Sequence, residues 1–141
     1  MKSLLLLIFL SICQSLTVRG QTIAVTVNGF NNPKGVCMAC LYSNAEGFPT
    51  KLNKALTCIN AKIVGSSATL TFANVPVGTY ALAIVHDENK NGNMDTNFMG
   101  IPKEGYGVSN NTPSRLGPPK FANAAFRVGK TDTQLTIDMR Y

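Results

Sequence analysis

Oxygen-bearing side chains alternate along one short segment of the chain, residues 87–95. The segment follows the pattern D-x-N-x-N-G-x-x-D, and Gly92 stands where a sharp turn is needed. Hard cations such as Ca²⁺ take roughly six to eight oxygen ligands, and alternate residues of a tight loop can all turn toward one ion. We therefore predict a Ca²⁺-type site with these ligands: Asp87, Asn89, Asn91, Asn93 (through its backbone carbonyl), Asp95 and Glu104.

The segment differs from an EF-hand loop at the last ligand. An EF-hand has a bidentate Glu at its twelfth position, and Phe98 stands there in this chain. A site of another type needs a further acid, which Glu104 or Glu88 would supply. The alternative interpretation is that Asn and Gly simply build turns here, with the acids exposed to solvent.

The single histidine, His86, directly precedes this segment. Alternation places it on the same strand face as Leu82 and Ile84, which predicts a hydrogen-bonded residue at a strand end. A hydrolase would recruit His86, Asp87 and Ser109, but nothing near Ser109 resembles a nucleophile elbow. We therefore predict that the protein is not an enzyme. A zinc site would need cysteine ligands beside the one histidine.

The elements that position these residues are predicted to be strands, because apolar and polar residues alternate with period two. A run that is apolar on both faces, residues 80–85, predicts a central buried strand. One short helix is predicted over residues 51–56. The fold class is all-β: an antiparallel β-sandwich of about seven strands, immunoglobulin-like or transthyretin-like. The predicted strands cover residues 23–28, 36–42, 61–64, 68–72, 80–85, 124–128 and 135–139.

Residues 87–120 show no sustained period and are rich in Gly and Pro. A connection this long in a compact domain is usually functional or disordered. Its low charge and its aromatic residues favour a long ordered loop.

Residues 1–20 are predicted to be a signal peptide, with Lys2 before an apolar run over residues 4–12 and cleavage before Gln21. Residues 21–141 then form a single domain. The apolar run is shorter than the about 20 residues that span a bilayer, so no transmembrane segment is predicted. A lipoprotein would use Cys13, but Ile12 is bulky for the position before a lipidated cysteine. The protein is predicted to be exported to the periplasm, the cell surface or the medium.

The formal net charge of the chain is +6. The basic residues are scattered, without runs and without interleaved aromatic residues. A nucleic-acid-binding surface would cluster them, so no nucleic-acid partner is predicted.

Three cysteines remain after the signal peptide: Cys37, Cys40 and Cys58. Export permits a disulfide. Cys37 and Cys40 are three apart on a predicted strand, so their side chains point to opposite faces and cannot bridge to each other. We expect Cys58 to pair with Cys40, with Cys37 as the alternative partner, and the third cysteine to be a small core residue.

Several strings of residues carry a resemblance to known proteins; they lie at residues 72–81, 86–98, 100–107, 109–111 and 117–121. Together they resemble one protein family, the bacterial domain of unknown function DUF2141. The resemblance covers residues 23–141, and its most specific part runs from His86 to Phe121. It implies an exported bacterial protein with a β-sandwich fold and no established activity. The turn at residues 75–80 is also similar to prealbumin-like accessory domains, which is an analogy of fold only.

The leading functional hypothesis is an exported, non-enzymatic module with a cation-stabilised loop, acting in binding or envelope organisation. The alternative is a carbohydrate- or peptide-binding domain that uses residues 96–121, with Phe98, Tyr106 and Phe121 at the ligand. The third hypothesis is a hydrolase that uses His86. The sequence names neither a partner nor an oligomeric state.

Overall fold

A computed structural model describes residues 19–114 and 116–141 of the chain. Of the predicted signal peptide, residues 1–20, only Arg19 and Gly20 belong to this part. The rest of that segment, with Cys13, lies outside the described residues.

The described chain forms strands linked by turns, one long loop and three very short helices. The helices are two 3₁₀ turns, Leu52–Lys54 and Ser109–Asn111, and α1, Phe121–Ala124. The strands are β1 (Gln21–Asn28), β2 (Val36–Tyr42), β3 (Thr57–Ala61), β4 (Ser67–Val75), β5 (Gly78–Asp87), β6 (Tyr106–Val108), β7 (Phe126–Val128) and β8 (Thr133–Asp138).

The strands form two sheets packed as a sandwich. One sheet has the order β4-β1-β8 and the other has the order β3-β2-β5-β6, with β7 also paired to β5. The pairs are antiparallel except β1 with β8, which run parallel. The predicted all-β sandwich is confirmed, but it has eight strands among the described residues, and one of its pairs is parallel.

Four local predictions differ from the structure. The strand predicted at residues 124–128 is β7, Phe126–Val128, because Ala124 ends α1. The additional strand, β6, is three residues long and contains Gly107, so it carries no period-two signal. The strand predicted at residues 61–64 is β3, Thr57–Ala61, which pairs with β2. The helix predicted over residues 51–56 is reduced to the single 3₁₀ turn Leu52–Lys54.

The main core lies between the sheets and is built by the alternating inward side chains. From β1 these are Ile23, Val25 and Val27, and from β5 they include Leu82 and Ile84; all five are buried. Burial of one such side chain contributes roughly 1.5–3 kcal/mol relative to exposure, so this alternation fixes which face of each strand points inward.

The outer face of the second sheet is also covered. Ala83 and Val85 of β5 point to this face and are buried with Met38, Cys40 and Tyr42. Side chains from the connections pack over them, namely Phe48, Leu52, Ala55, Met94 and Phe121. As predicted, β5 is therefore buried on both faces. The long loop, which begins where β5 ends at Asp87, packs against the outer face of this sheet through Met94.

Within residues 19–114 and 116–141, no helix has both the length and the apolar character needed to cross a bilayer.

Candidate cation-binding loop

The loop begins where β5 ends, at Asp87, whose side chain is only 2% exposed. Its Oδ1 accepts a hydrogen bond from the N–H of Asn91 at 3.1 Å, and its Oδ2 accepts one from the N–H of Gly92 at 2.8 Å. The chain reverses with left-handed backbone at Lys90 (φ 58°) and Gly92 (φ 75°). Asp87 thus fixes the turn by holding two backbone donors.

Asp95 fixes the other side of the loop by accepting hydrogen bonds from the side-chain amides of Asn89 and Asn91. Its Oδ2 lies 2.6 Å from Asn89 Nδ2, and its Oδ1 lies 2.9 Å from Asn91 Nδ2. The amide oxygens of these asparagines accept hydrogen bonds from the N–H groups of Asn91 and Asn93, at 3.1 and 2.8 Å. A cation beside Asp95 would therefore require both amides to make a half-turn, so that oxygens replace nitrogens.

Glu104 joins the two ends of the loop. Its carboxylate is 7% exposed. Oε1 accepts a hydrogen bond from the N–H of Glu88 at 3.0 Å, and Oε2 accepts one from the N–H of Asp95 at 3.1 Å. The sequence pointed to Glu104 only as a further acid, because its place between the two loop ends depends on how residues 96–103 fold back.

No basic side chain compensates these carboxylates among the described residues. The ion pair found there joins Lys54 to Glu46; the His86 ring also lies 3.7 Å from the Glu88 carboxylate, but it would form an ion pair only in its protonated form. Asp87 and Glu104 are buried and rely on backbone N–H groups alone. A buried carboxylate needs pairing, hydrogen bonds or a metal ion, and among the described residues backbone N–H groups supply hydrogen bonds to both Asp87 and Glu104.

The predicted ligands fall into three groups. Asp87, Asn89, Asn91 and Asp95 share one hydrogen-bond network, whereas Glu104 brackets the loop ends and Asn93 is exposed at its outer turn. Within the described residues, no three His, Cys, Asp or Glu side chains form a group that could hold a metal ion. A cation at this loop would thus take most of its ligands from asparagine side chains and backbone carbonyls.

His86 lies under the loop with both ring nitrogens occupied. Nε2 lies 2.8 Å from the carbonyl oxygen of Lys34, and Nδ1 lies 2.7 Å from the hydroxyl of Tyr141. Because the carbonyl can only accept, Nε2 carries the proton and Nδ1 accepts from the Tyr141 hydroxyl. That hydroxyl also accepts a hydrogen bond from the N–H of Asn31 at 3.0 Å.

Tyr141 was not singled out in the sequence. Burial raises the pKa of its phenol, the hydrogen bond from Asn31 opposes this, and the Glu88 carboxylate adds to the rise. Its ring lies against Gly105, where a Cβ would come within 2.5 Å of the ring carbons. A glycine is therefore needed there for the tyrosine to reach His86.

Ser109 belongs to the second 3₁₀ turn and contacts β5 at Leu82, away from His86. Its buried Oγ donates to the carbonyl of Ala124 and accepts from the N–H of Leu82 at 2.9 Å. Leu82 and His86 are four residues apart on an extended strand, which separates them by about 13 Å. The three side chains suggested for a hydrolase, His86, Asp87 and Ser109, therefore do not form a catalytic group, and the buried imidazole has no free nitrogen.

An open, mostly apolar cleft of about 450 Å³ lies beside the loop. Tyr106 lines it, together with Pro49, Met94, Ile101 and Pro118 among others. The two other aromatic residues suggested for ligand binding are placed differently. Phe121 packs edge-on against Phe48 at 5.8 Å, and Phe98 is 95% exposed outside the cleft. The three aromatic side chains thus do not converge on one surface.

The cysteines are divided between the two faces of β2. Cys40 is bonded to Cys58, its partner in the β2–β3 register. Cys37 is a free thiol buried in the core between the sheets. Burial raises the pKa of this thiol from 9.0 to about 12, so it is uncharged and unreactive in the folded protein at neutral pH.

Comparisons with known proteins agree with the family expected from the strings above. A family model described as an uncharacterized protein conserved in bacteria matches residues 25–136. No similar protein was found among curated proteins or among solved structures. The match spans the loop and all its predicted ligands, together with β2 to β7, half of β1 and most of β8. The chain therefore belongs to the DUF2141 family.

Proposed function

We propose that this protein is an exported, non-enzymatic β-sandwich module that acts in binding or envelope organisation. Its long loop is the binding surface, and a Ca²⁺-type cation stabilises that loop. The observation that carries the proposal is the pair of buried carboxylates, Asp87 and Glu104, at the base of the loop. Neither forms an ion pair with a basic side chain among the described residues.

The charge balance of the loop supports a cation. Asp87, Glu88, Asp95 and Glu104 bring four carboxylates to the loop, and the hydrogen-bond network brings the Asp95 carboxylate close to asparagine amides. A divalent ion would supply the missing positive charge, and the amide oxygens and exposed carbonyls would complete its shell. The hydrogen bonds that Asp87 and Glu104 accept from backbone N–H groups already fix the loop, so we expect the ion to stabilise the fold rather than to create it.

The cysteines support export. The disulfide between Cys40 and Cys58 is of the kind that persists in oxidising compartments and is rare in a reducing cytosol. It lies on the sheet face that the loops cover, where it ties β3 to β2.

Thermal unfolding tests the cation. The protein is recovered after export, its N-terminus is read by mass spectrometry, and unfolding is followed in EDTA, in Ca²⁺ and in Mg²⁺. An ion that binds only the folded state at a hundredfold excess over Kd adds about 2.7 kcal/mol. For a domain near this size that raises Tm by about 10 °C.

The Asp95→Asn variant should lose this rise, because it removes one carboxylate from the loop and keeps the side-chain shape. Asp138→Asn is the matched control, since Asp138 is exposed on β8 outside the loop. A Ca²⁺ response equal in both variants, or none in the wild type, would refute the cation and leave the loop as a hydrogen-bonded turn.

A second candidate function is peptide or carbohydrate binding in the cleft. The cleft of about 450 Å³ with Tyr106 in its wall is the observation that favours it. Chemical-shift changes of the Tyr106 ring upon addition of short peptides or oligosaccharides would support this function. Signals of Thr79 and other residues far along β5 serve as internal references. If the chemical shifts of the Tyr106 ring do not change relative to them at millimolar ligand, the result would argue against this function.

A further inference from the structure

Large apolar side chains are exposed close together in two parts of the long loop. Among the described residues eight large apolar side chains are exposed, and four of them lie within residues 98–116. Phe98 is 95% exposed, Leu116 is fully exposed, and Met99 and Ile101 are more than half exposed. Exposing these groups to water is unfavourable, so a cluster of them marks an interaction surface.

The first part, residues 96–102, is called the first tip loop. Asn97 holds it in shape, because its Oδ1 accepts hydrogen bonds from the N–H groups of Met99 and Ile101, at 2.9 and 3.0 Å. The Asn97 N–H donates to the carbonyl of Ile101 at 2.8 Å, and Thr96 forms a β-bridge with Pro102. Phe98 and Met99 thus stand on a fixed turn rather than on a loose segment.

The second part, residues 116–120, is called the second tip loop, and it carries Leu116. Both tip loops line the same cleft, the first through Met99 and Ile101 and the second through Gly117 and Pro118. The two tip loops therefore border one cleft and lie at the same end of the molecule. Phe98 does not line the cleft, so it points away from the protein instead of completing a pocket.

The charge around the tip loops is positive. Lys103 directly follows the first tip loop and Lys120 ends the second; both are exposed, and neither forms an ion pair among the described residues. The only acids between positions 89 and 121 are Asp95 and Glu104. Asp95 is half-buried against asparagine amides and Glu104 is buried, so neither balances the exposed lysines.

Apolar side chains that project from fixed turns, flanked by lysines, match the surface of an anionic bilayer. Lipid at the headgroup and acyl boundary is deformable, so projecting side chains insert without a preformed partner pocket. Each lysine near an anionic surface strengthens binding by about fivefold. A protein partner would instead need pockets for Phe98 and Leu116 and carboxylates for the lysines.

We propose that the two tip loops dock reversibly on an anionic lipid surface. Phe98, Met99, Ile101 and Leu116 insert at headgroup level, and Lys103 and Lys120 lie against lipid phosphates. This inference rests on the proposed role of the long loop as the binding surface, and it names the partner of that surface. The lysines draw the protein to the membrane, and the apolar side chains determine how long it stays.

Co-sedimentation with unilamellar vesicles tests the proposal. The exported protein, with its N-terminus verified, is mixed with vesicles of phosphatidylcholine alone or of phosphatidylcholine with phosphatidylglycerol, in EDTA so that Ca²⁺ cannot bridge protein and lipid. We expect binding to the anionic vesicles, weaker binding as salt is added, and little binding to the neutral ones. No sedimentation with anionic vesicles would overturn the proposal.

Matched variants separate insertion from simple electrostatic adsorption. Phe98→Ser and Leu116→Ser should each weaken vesicle binding about tenfold, which corresponds to losing most of one buried apolar side chain. The control is Val64→Ser, which changes an exposed apolar residue in the connection between β3 and β4. The double variant Lys103→Glu, Lys120→Glu should abolish vesicle binding. The charge control Lys62→Glu, which lies outside the tip loops, should have little effect on vesicle binding. Binding that depends on the lysines but not on Phe98 or Leu116 would overturn the insertion.

The cation proposal and the lipid proposal can be refuted independently of each other. A Ca²⁺-dependent rise in Tm without vesicle binding rejects the lipid partner and keeps the cation. Vesicle binding in EDTA without any Tm response to Ca²⁺ rejects the cation and keeps the lipid partner. Specific binding of an acidic peptide that vesicles do not displace would also overturn the lipid proposal in favour of a protein partner.

Discussion

Glu104 and Asp95 are joined by a hydrogen bond in which the N–H of Asp95 donates to Glu104 Oε2 at 3.1 Å. The other oxygen of the same carboxylate holds the N–H of Glu88 at 3.0 Å. One buried side chain thus joins the start of the loop to its end, and the proposed cation ligands between them keep their spacing because these two points are fixed.

Replacing Glu104 should therefore loosen the loop while leaving the sandwich folded. Glu104→Ala leaves two backbone N–H groups without their partner and should lower the free energy of unfolding by about 1–3 kcal/mol. Denaturant unfolding measures this loss, and hydrogen exchange should accelerate at the amides of Glu88 and Asp95. The control Glu46→Ala removes an exposed carboxylate paired with Lys54 and should cost less than about 1 kcal/mol. Equal losses in the two variants would contradict the role assigned to Glu104.

Removing the hydroxyl of Tyr141 should destabilise the base of the loop. In Tyr141→Phe the buried Nδ1 of His86 loses its donor, and an unsatisfied buried acceptor costs about 1–3 kcal/mol. Tyr106→Phe is the matched control, because no hydrogen bond of the Tyr106 hydroxyl is found among the described residues, and it should change stability by less than about 0.5 kcal/mol. Nitrogen chemical shifts of the imidazole report the loss directly; an unchanged Nδ1 shift would refute the contact.

Cys37 should resist alkylation in the folded protein. Its thiol is buried and its pKa is raised to about 12, so the reactive thiolate is scarce at pH values near neutrality. Iodoacetamide at mildly alkaline pH should leave the native protein unmodified, as read by mass spectrometry. Under denaturing conditions without reductant, Cys37 should react and the disulfide-bonded Cys40 and Cys58 should not. Rapid labelling of the native protein would contradict this placement.

Stability should fall as the solution becomes strongly alkaline, and Tyr42 should contribute to the fall. Burial raises the pKa of its phenol from 10.0 to about 12. Below pH 10 both the folded and the unfolded chain keep this proton. Between pH 10 and 12 the unfolded chain loses it and the folded chain retains it, so the free energy of unfolding decreases as pH rises.

The slope of stability against pH in that window tests this linkage. Tyr42→Phe should lower stability at neutral pH, because the hydrogen bond to the carbonyl of Pro49 is lost, and it should also flatten the slope above pH 10. A residual slope is expected from Tyr141 and Cys37, whose pKa values are also raised. A variant with the same slope as the wild type would show that Tyr42 is not protected from ionisation.

The alternation of residues by itself determined the layered β architecture. Ile23, Val25 and Val27 predict the inward face of β1, and the run at 80–85 predicts a strand buried on both faces; the structure confirms both. The spacing of Cys37 and Cys40 predicts that they point to opposite faces, and the structure places them in different clusters. These features are local, because the side-chain period of a strand is set by its own backbone.

Tertiary structure alone decided the features that join distant parts of the chain. Four such features leave no local pattern in the sequence. They are the parallel pairing of β1 with β8, the three-residue strand β6, the link from Glu104 to both loop ends, and the contact between His86 and Tyr141. His86 and Tyr141 are 55 residues apart in sequence, and their meeting depends on β8 returning beside β1. The sequence could therefore name the oxygen-bearing residues of the loop, whereas the fold decided which of them hold the backbone and which face solvent.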